Sequence, residues 1–401
     1  MNILVVSDAF WPDDTGGISK SLLLEVQALV SRGHRVVVVT RRIRKGLAPY
    51  EVREGYELCR YLSPTKESVF YRTYPIFSIL ALRQLLKDMR WRFDIVYVHN
   101  PFQMLGLLLA HLDVPLIYTF HAPMIKEVTI DARAGKYGFL SRIVKMIGPV
   151  IKMVEEQALR NASLILVRSE YMKRELASIY KSVNIKKVLT VPLGIDTERF
   201  EFVSDPRVVR DKLDLPKDRK VLLTVRRLVA RMGLQNLLNA MKLVVTKHPE
   251  VLLVIGGKGY LENVLRKYIR SQGLEAYVKL VGFIPEEKLP LYYQAADLFI
   301  LPTAELEGFG LVTLEALSCG TPVIATPVGA NPEVVGPLSE EFLCEDNTAE
   351  AMAERIDWWL NRGVTAEIRQ RCREYCVLRF DIKSIAFLLE NIFVEARNKL
   401  Q

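Results

Sequence analysis

Glu307 and Glu315 stand eight residues apart in TAELEGFGLVTLEALSCGTPV, residues 303–323, with Gly308-Phe309-Gly310 between them. Two carboxylates so spaced can be the acid and nucleophile of a hydrolase, a pair of metal ligands, or a clamp on a polyhydroxylated ligand. LFILPT before them reads as a strand. Leu311, Val312, Leu314, Ala316 and Leu317 read as a helix ended by Gly320. Glycines at a helix start bring backbone N–H groups near a ligand, and the helix dipole there favours negative charge. Glu307 precedes that seat and Glu315 lies little more than one turn behind it. A diphosphate resting between them would carry hydroxyls to both acids, which describes a nucleotide sugar with its sugar on Glu307 and its ribose on Glu315.

The neighbouring motifs weigh the alternatives. No His or Asp-rich loop lies near Glu307, so a metal site lacks ligands. A glycosidase needs one neutral and one ionised carboxyl about a glycosidic bond, and it leaves three other loops without a task. In LLTVRRLVARMGLQNLL, Arg226, Arg227 and Arg231 follow a strand and suit phosphate oxygens. In VIGGKGYLENVL, Gly256-Gly257-Lys258-Gly259 joins strand to helix, and in SDAFWPDDTGGISKS, Gly16-Gly17 opens one. Neither is the Gly-x-Gly-x-x-Gly fingerprint of dinucleotide enzymes. Each glycine loop also serves as a simple turn, and the arginines as a solvated patch. His121 in YTFHAP is read equally well as a packing residue.

These motifs need strands to hold them. NILVVS, RVVVVT, DIVYVH, PLIYTF, LILVRS and KVLTVP are apolar on consecutive positions, as strands buried on both faces of a parallel sheet are. KVLLTV, VLLVIGG, VKLVGF, LFILPT and PVIATP repeat the pattern in the second half. Helical patterns intervene, for example Ser19 to Ser31 and Phe102 to Leu112. The reading is α/β, two doubly wound domains of the Rossmann type, their boundary in the polar stretch 193–218, with only helices after Glu350. Ligands of such sheets lie at the carboxyl ends of the strands. A chain of 401 residues fits two such cores.

Composition narrows the setting. Five cysteines without a Cys-x-x-Cys argue for reduced packing residues, Cys372 and Cys376 sharing a helix face. The first residues lack a basic n-region and no apolar run reaches about 20 residues, so a cytoplasmic protein without a spanning helix is expected. The net charge of +9 is uneven: residues 1–200 hold 29 Lys and Arg against 19 Asp and Glu, the remainder 26 against 27. Beside solubility, this basic first half fits an anionic or lipid-linked partner or an acidic membrane face. Residues 132–154 contain no acid, carry Arg133, Lys136, Arg142, Lys145 and Lys152, and repeat Leu140, Ile143, Ile147, Ile151 and Val154 at helical spacing. They read as a helix packed on its own domain, interrupted by Pro149, or as a peripheral membrane contact through residues 133–154 at the inner face of the membrane.

ELEGFGLVTLEAL resembles the Glu-x7-Glu motif of the retaining nucleotide-sugar glycosyltransferases of family four, whose GT-B fold has two facing Rossmann-like domains with a cleft between them. GGISKSLLLEVQALVSRGHRV, PLGIDTERF, VRRLV, GFIPEEKLPLYYQAADLFILPT and GTPVIATPVGANPEVV resemble that family in order and spacing, over nearly the whole chain. The resemblance implies an acceptor-binding domain at 1–195, a donor-binding domain at 205–380, and a last helix, 381–401, returning to the first. It places the donor sugar on Glu307, the ribose on Glu315, and the donor along Phe309, Gly310, Leu311 and Val312. Gly16, Gly17 and Gly257 would approach the donor, Gly282, Phe283 and Ile284 the base, and His121 the sugar. The family's Arg on the diphosphate falls at Arg227, but its Lys five residues on is Met232, so Arg231 is expected instead. The usual glycine before Arg227 is Arg226.

The expected reaction is transfer of a sugar from a UDP-sugar, or a GDP-sugar, to a glycan, lipid-linked or small-molecule acceptor. Arg227, Arg231 and the helix dipole would stabilise the leaving diphosphate without a metal or other cofactor; retention comes from the resemblance alone. Domain closure would exclude water. No nucleic acid partner is expected. A nucleotide-sugar epimerase or hydrolase of the same fold, or a binding protein without turnover, remains compatible with these residues.

Overall fold

The computed structural model describes residues 1–14, 16–65, 67–68, 70–88, 92–136, 138 and 141–399. It divides into two units. One comprises Met1–Val128, Arg142–Gly194 and Ile382–Gln401, the other Thr129–Ser141 and Ile195–Asp381.

In the first unit the strands are β1 (Asn2–Ser7), β2 (Arg35–Arg41), β3 (Tyr50–Arg53), β4 (Tyr56–Tyr61), β5 (Ile95–Val98), β6 (Leu116–Phe120), β7 (Leu164–Val167) and β8 (Val188–Thr190). They form one sheet in the order β3-β4-β2-β1-β5-β6-β7-β8. The pairs are parallel except β3 with β4. Ile3, Leu4, Val5 and Val6 are wholly buried, because helices cover both faces of a doubly wound sheet. The six strands expected in this half are present. The β3–β4 hairpin was not expected. Its turn puts Glu54 at φ 44° and Gly55 at φ 83°, and positive φ at both central residues matches the twist of a tight hairpin.

Helix Pro101–Ala110 begins at Asn100, whose side chain accepts from the Phe102 amide, and carries proline in its first turn. The last helix, Ile382–Asn398, packs against helix Gly17–Ser31. Its Leu389 and Phe393 join Ile3, Val5, Leu22 and Val26 in one core cluster.

The second unit holds β9 (Lys220–Val225), β10 (Val251–Gly256), β11 (Val278–Gly282), β12 (Leu298–Leu301) and β13 (Val323–Ala325), all five as expected. Their order is β11-β10-β9-β12-β13, parallel throughout. From Ala349 on, helices Ala349–Arg362 and Ala366–Phe380 complete this unit. The five cysteines are free and buried. Among the described residues no helix is long and apolar enough to cross a membrane.

The stretch read as one basic amphipathic helix differs from expectation. Helix Met124–Arg133 ends just inside it, and helix Ser141–Asn161 begins within it. Leu140 and the side chains of Arg142, Ile143 and Lys145 lie outside the described residues. The exposed apolar residues are Met146, Ile147, Val150 and Met153, whereas Ile151 and Val154 are half-buried. The stripe is rotated because the inward face is set by Glu155, Ala158 and Leu159, and by Gly148, which packs close to Ile125. Pro149 sits inside the helix.

Leu389→Ala removes a wholly buried side chain from the first core. It is expected to cost about 2–5 kcal/mol, read as a lower urea midpoint for the transition that unfolds this unit.

Candidate functional site

β9 is the switch point of the second sheet: the chain moves from it outward to β10 and β11 on one side and to β12 and β13 on the other. The loops after β10, β9 and β12 therefore leave three adjacent strands at their carboxyl ends, where a doubly wound sheet opens a ligand crevice. These loops carry Gly256–Gly259, Arg226–Met232 and Pro302–Gly310.

Burial alternates along the loop after β9. Arg226 is 8% exposed, Arg227 is exposed, and Leu228 is wholly buried. The Arg226 amide donates to Gly256 O at 2.9 Å. Gly257, at φ 131°, passes so close that a Cβ there would fall 1.8 Å from the Arg226 carbonyl oxygen. The Arg226 guanidinium donates to Thr303 Oγ1 at 2.5 Å through one nitrogen and makes an ion pair with Glu307 Oε2 through the other. Burial lowers the Arg226 pKa, and the Glu307 carboxylate opposes that shift. Arg227 and Arg231 add to the lowering, so three cations share one field.

Glu307 is 8% exposed and its backbone is held as closely. Its carbonyl accepts from the Ala330 amide at 2.9 Å. A Cβ on Gly329 would fall 2.4 Å from that same oxygen. Leu306, just before, has φ 55°, a sparsely populated conformation for so bulky a residue. Arg231 braces it: its guanidinium donates to Leu306 O at 2.8 Å, and its own carbonyl accepts from the Ala304 and Glu305 amides at 3.0 and 3.2 Å. Met232 turns into the core at 6% exposure, which leaves Arg231 as the cation facing the loop.

Helix Leu311–Ser318 follows at once. Gly310 is its N-cap, at φ 88°, and no side chain caps the first turn. The Phe309 ring is buried edge-on against Phe380, so its backbone is the part turned toward the loop. Leu311 is buried and Val312 half-buried. Glu315 is 2% exposed and accepts from the Tyr293 hydroxyl at 2.6 Å. Burial, then Glu315, drives the Tyr293 pKa well above the usual range, so that hydroxyl stays a donor. Gly282 has φ 74°, and beyond it Phe283 is exposed with Lys258 Nζ 5.7 Å from its ring centre, while Ile284 is buried.

The first unit holds the remaining residues singled out above. Gly16 caps helix Gly17–Ser31, and its amide donates to Asp14 Oδ2 at 3.0 Å, which also accepts from Ser19 at 2.9 Å. A carboxylate thus already sits at that helix start. Gly17 has open space where a Cβ would lie. His121 follows β6, with Nε2 3.1 Å from Nδ1 of His99, which follows β5. His99 packs edge-on to Tyr97, whose hydroxyl donates to Glu25 at 2.9 Å, and Arg168 pairs with Glu25 at 2.7 Å.

Residues 15–199 match the family model described as Glycosyltransferase Family 4, and residues 206–377 the one described as Glycosyl transferases group 1. The chain belongs to the family-four glycosyltransferases. It is similar to a glycogen synthase of Mycobacterium tuberculosis, 24% identical over 99% of this chain and 95% of that protein. It is also similar to the alpha-monoglucosyldiacylglycerol synthase of Streptococcus pneumoniae, 27% identical over 81% of this chain and 71% of that one. Among solved structures, the sucrose-phosphate synthase of Thermosynechococcus elongatus matches with a TM-score of 0.81 at 22% identity, over 98% of both chains. The fold is GT-B.

In this glycosyltransferase the second unit brings Arg226, Arg227, Arg231, Gly257, Glu307 and the start of helix Leu311–Ser318 into one set of neighbouring loops. Sequence reading missed three contacts in it: Arg226 with Glu307, Arg231 with the Leu306 carbonyl, and Tyr293 with Glu315. A tyrosine 22 residues before Glu315 carries no local signal. Arg226 did carry one, since its place in the family pattern belongs to glycine. Among the described residues no three His, Cys, Asp or Glu side chains gather as metal ligands do.

His121 allows a pH prediction. Burial, then Arg168, lowers its pKa to about 3 from 6.5. The unfolded chain takes the proton first, so this ring favours folding above about pH 6.5 and loses that contribution as pH falls toward 3. Imidazole NMR signals of folded His121, which is half-buried, are expected to show no titration between about pH 5 and 8; a midpoint near 6.5 would contradict the lowered pKa.

Proposed function

We propose that this glycosyltransferase moves a sugar from a nucleoside-diphosphate sugar, UDP-linked ahead of GDP-linked, to a hydroxyl or amine of a glycan, lipid-linked or small-molecule acceptor, with retention at the anomeric carbon. The observation that carries this reading is the loop 303–310, which presents a buried, oriented Glu307 and then an uncapped helix start beside Arg227 and Arg231. Glu307 would accept hydrogen bonds from sugar hydroxyls, and Glu315 from the ribose. Gly257 and the backbone of Phe309, Gly310, Leu311 and Val312 would pass along the diphosphate, and Gly282, Phe283 and Ile284 beside the base.

In the reaction the bond from the anomeric carbon to the phosphate oxygen breaks, its electron pair leaving with the diphosphate. The acceptor oxygen or nitrogen bonds to that carbon and gives its proton to the departing phosphate. Positive charge on the sugar and negative charge on the diphosphate grow together in the transition state. A fixed carboxylate beside the first and guanidiniums beside the second stabilise both without reorganising at the moment of transfer. Arg227 and Arg231 do here what a divalent cation does in enzymes that use one.

Glu307→Gln, which keeps the side chain's shape, and Arg227→Ala are each expected to lower turnover at least about 100-fold, the range for losing a preorganised charge stabiliser. The assay is nucleoside diphosphate release with a panel of nucleotide sugars and acceptors, and a chelator is expected to leave the rate nearly unchanged. Near-normal turnover in both variants would overturn the reading. Release without any acceptor, or an isomerised donor, would show a hydrolase or epimerase instead.

A lipid-linked acceptor would bring the protein to a membrane, and Met146, Ile147, Val150 and Met153, exposed on helix Ser141–Asn161 beside Lys152, are the surface for it. Co-sedimentation with anionic vesicles is expected to fall when Met146 and Val150 are changed to Ser. Equal recovery of both proteins would remove this contact.

A further inference from the structure

Arg226 is a large cation where the family pattern has glycine, and it is buried. It touches the one carboxylate on which the proposed transfer depends. Its backbone cannot drift, because its amide bonds Gly256 O at 2.9 Å and Gly257 presses on its carbonyl. Glu307 cannot drift either, between the Ala330 amide and Gly329. Two backbones pinned by different loops hold the ends of a single ion pair. Among the described residues, the hydrogen bonds to the carboxylate, from Arg226 and from Thr303 at 3.4 Å, both go to the same oxygen, Oε2. Thr303 is itself bound by the other arm of the same guanidinium.

We propose that Arg226 is a positioning residue for sugar transfer. Its guanidinium fixes the rotamer of Glu307 by engaging Oε2, which directs Oε1 at the donor sugar. Arg226 acts through Glu307 and Thr303 and need not touch the substrate. This inference rests on the donor-binding reading of Glu307. A carboxylate alone in a buried site can rotate and must be reordered when the sugar arrives. A forked cation on one of its oxygens removes that freedom before binding. Paired with Glu307, Arg226 adds less to the combined field of Arg227 and Arg231 than an unpaired cation would.

A double-mutant cycle tests it, using Arg226→Met, Glu307→Gln and the pair together, with kcat and KM for the donor measured separately. Binding of whichever of UDP or GDP the wild type prefers, measured by calorimetry, reports the nucleotide end of the site without the transferred sugar. Arg226→Met is expected to lower kcat about 10- to 100-fold, the range for losing a partner that orients a working group, while nucleotide binding stays within about threefold of wild type. In the Glu307→Gln background the same change is expected to cost less than about threefold, because two residues acting as one unit are not additive. Arg226→Lys, which keeps the charge without the fork, is expected to fall between Arg226→Met and wild type.

Wild-type kcat in Arg226→Met, or losses that simply multiply in the double variant, would overturn the proposal. Near-normal turnover in Glu307→Gln alone would instead bring down the donor reading, and with it this inference, by a separate measurement. Should Arg226→Met not fold, Arg226→Lys and Thr303→Val carry the same cycle, and multiplicative losses there overturn it equally.

Discussion

A buried guanidinium must have its charge and its N–H groups met by what packs against it. Taking two charges out of water is repaid by close pairing and by hydrogen bonds to what remains of each group. Arg226 imposes that condition on the loop after β12 in this glycosyltransferase. Glu307 meets it, and Thr303 occupies the second arm of the fork. Because the pair is buried, its geometry is transmitted to the chain on both sides. The loop from Pro302 to Gly310 follows from that pairing as much as from its own residues, and so does the direction in which the next helix starts.

Arg231 supports the same loop from a second side. Leu306 adopts a backbone conformation that few bulky residues take, and the strain is held by bonds to both the side chain and the carbonyl of Arg231. A lysine at position 232 would put one point charge in this region. Here the short 3-10 turn Ala230–Met232 sends the neighbouring methionine inward and Arg231 toward the loop. One arginine therefore both braces the loop and carries charge, two tasks that a guanidinium with five N–H groups can divide.

The legibility of this chain follows physical lines. Strands covered on both faces read clearly, because KVLLTV or RVVVVT has no reason to interpose polar residues. The β3–β4 hairpin did not, since YEVREGYELCRY alternates polar and apolar residues at the sheet's edge and hides its turn in an ordinary Glu-Gly. Within the site, what depends on a few consecutive residues was readable: Glu307, the glycines after it, and the helix they open. What depends on residues far apart was not. Arg226 and Glu307 are 81 positions apart, and nothing in either neighbourhood names the other. Nor does RRL reveal which arginine faces inward, because successive residues of an extended segment point to opposite sides and either phase suits the sequence. The stripe on helix Ser141–Asn161 was misplaced for a related reason: its inward face is chosen by Gly148 and by Glu155, Ala158 and Leu159, and a helical repeat alone does not reveal its phase.

The first unit also takes its last helix from residues that follow the second unit in sequence. Leu389 and Phe393 lie in the same cluster as Ile3 and Val5, so an earlier-made segment waits for a later one. During synthesis Ile195–Asp381, the main part of the second unit, emerges as one continuous segment and can collapse around β9 to β13. The first, although begun earlier, keeps a strip of apolar surface beside helix Gly17–Ser31 uncovered until residues 382–398 have cleared the ribosome. Order of birth and order of completion are reversed in this protein.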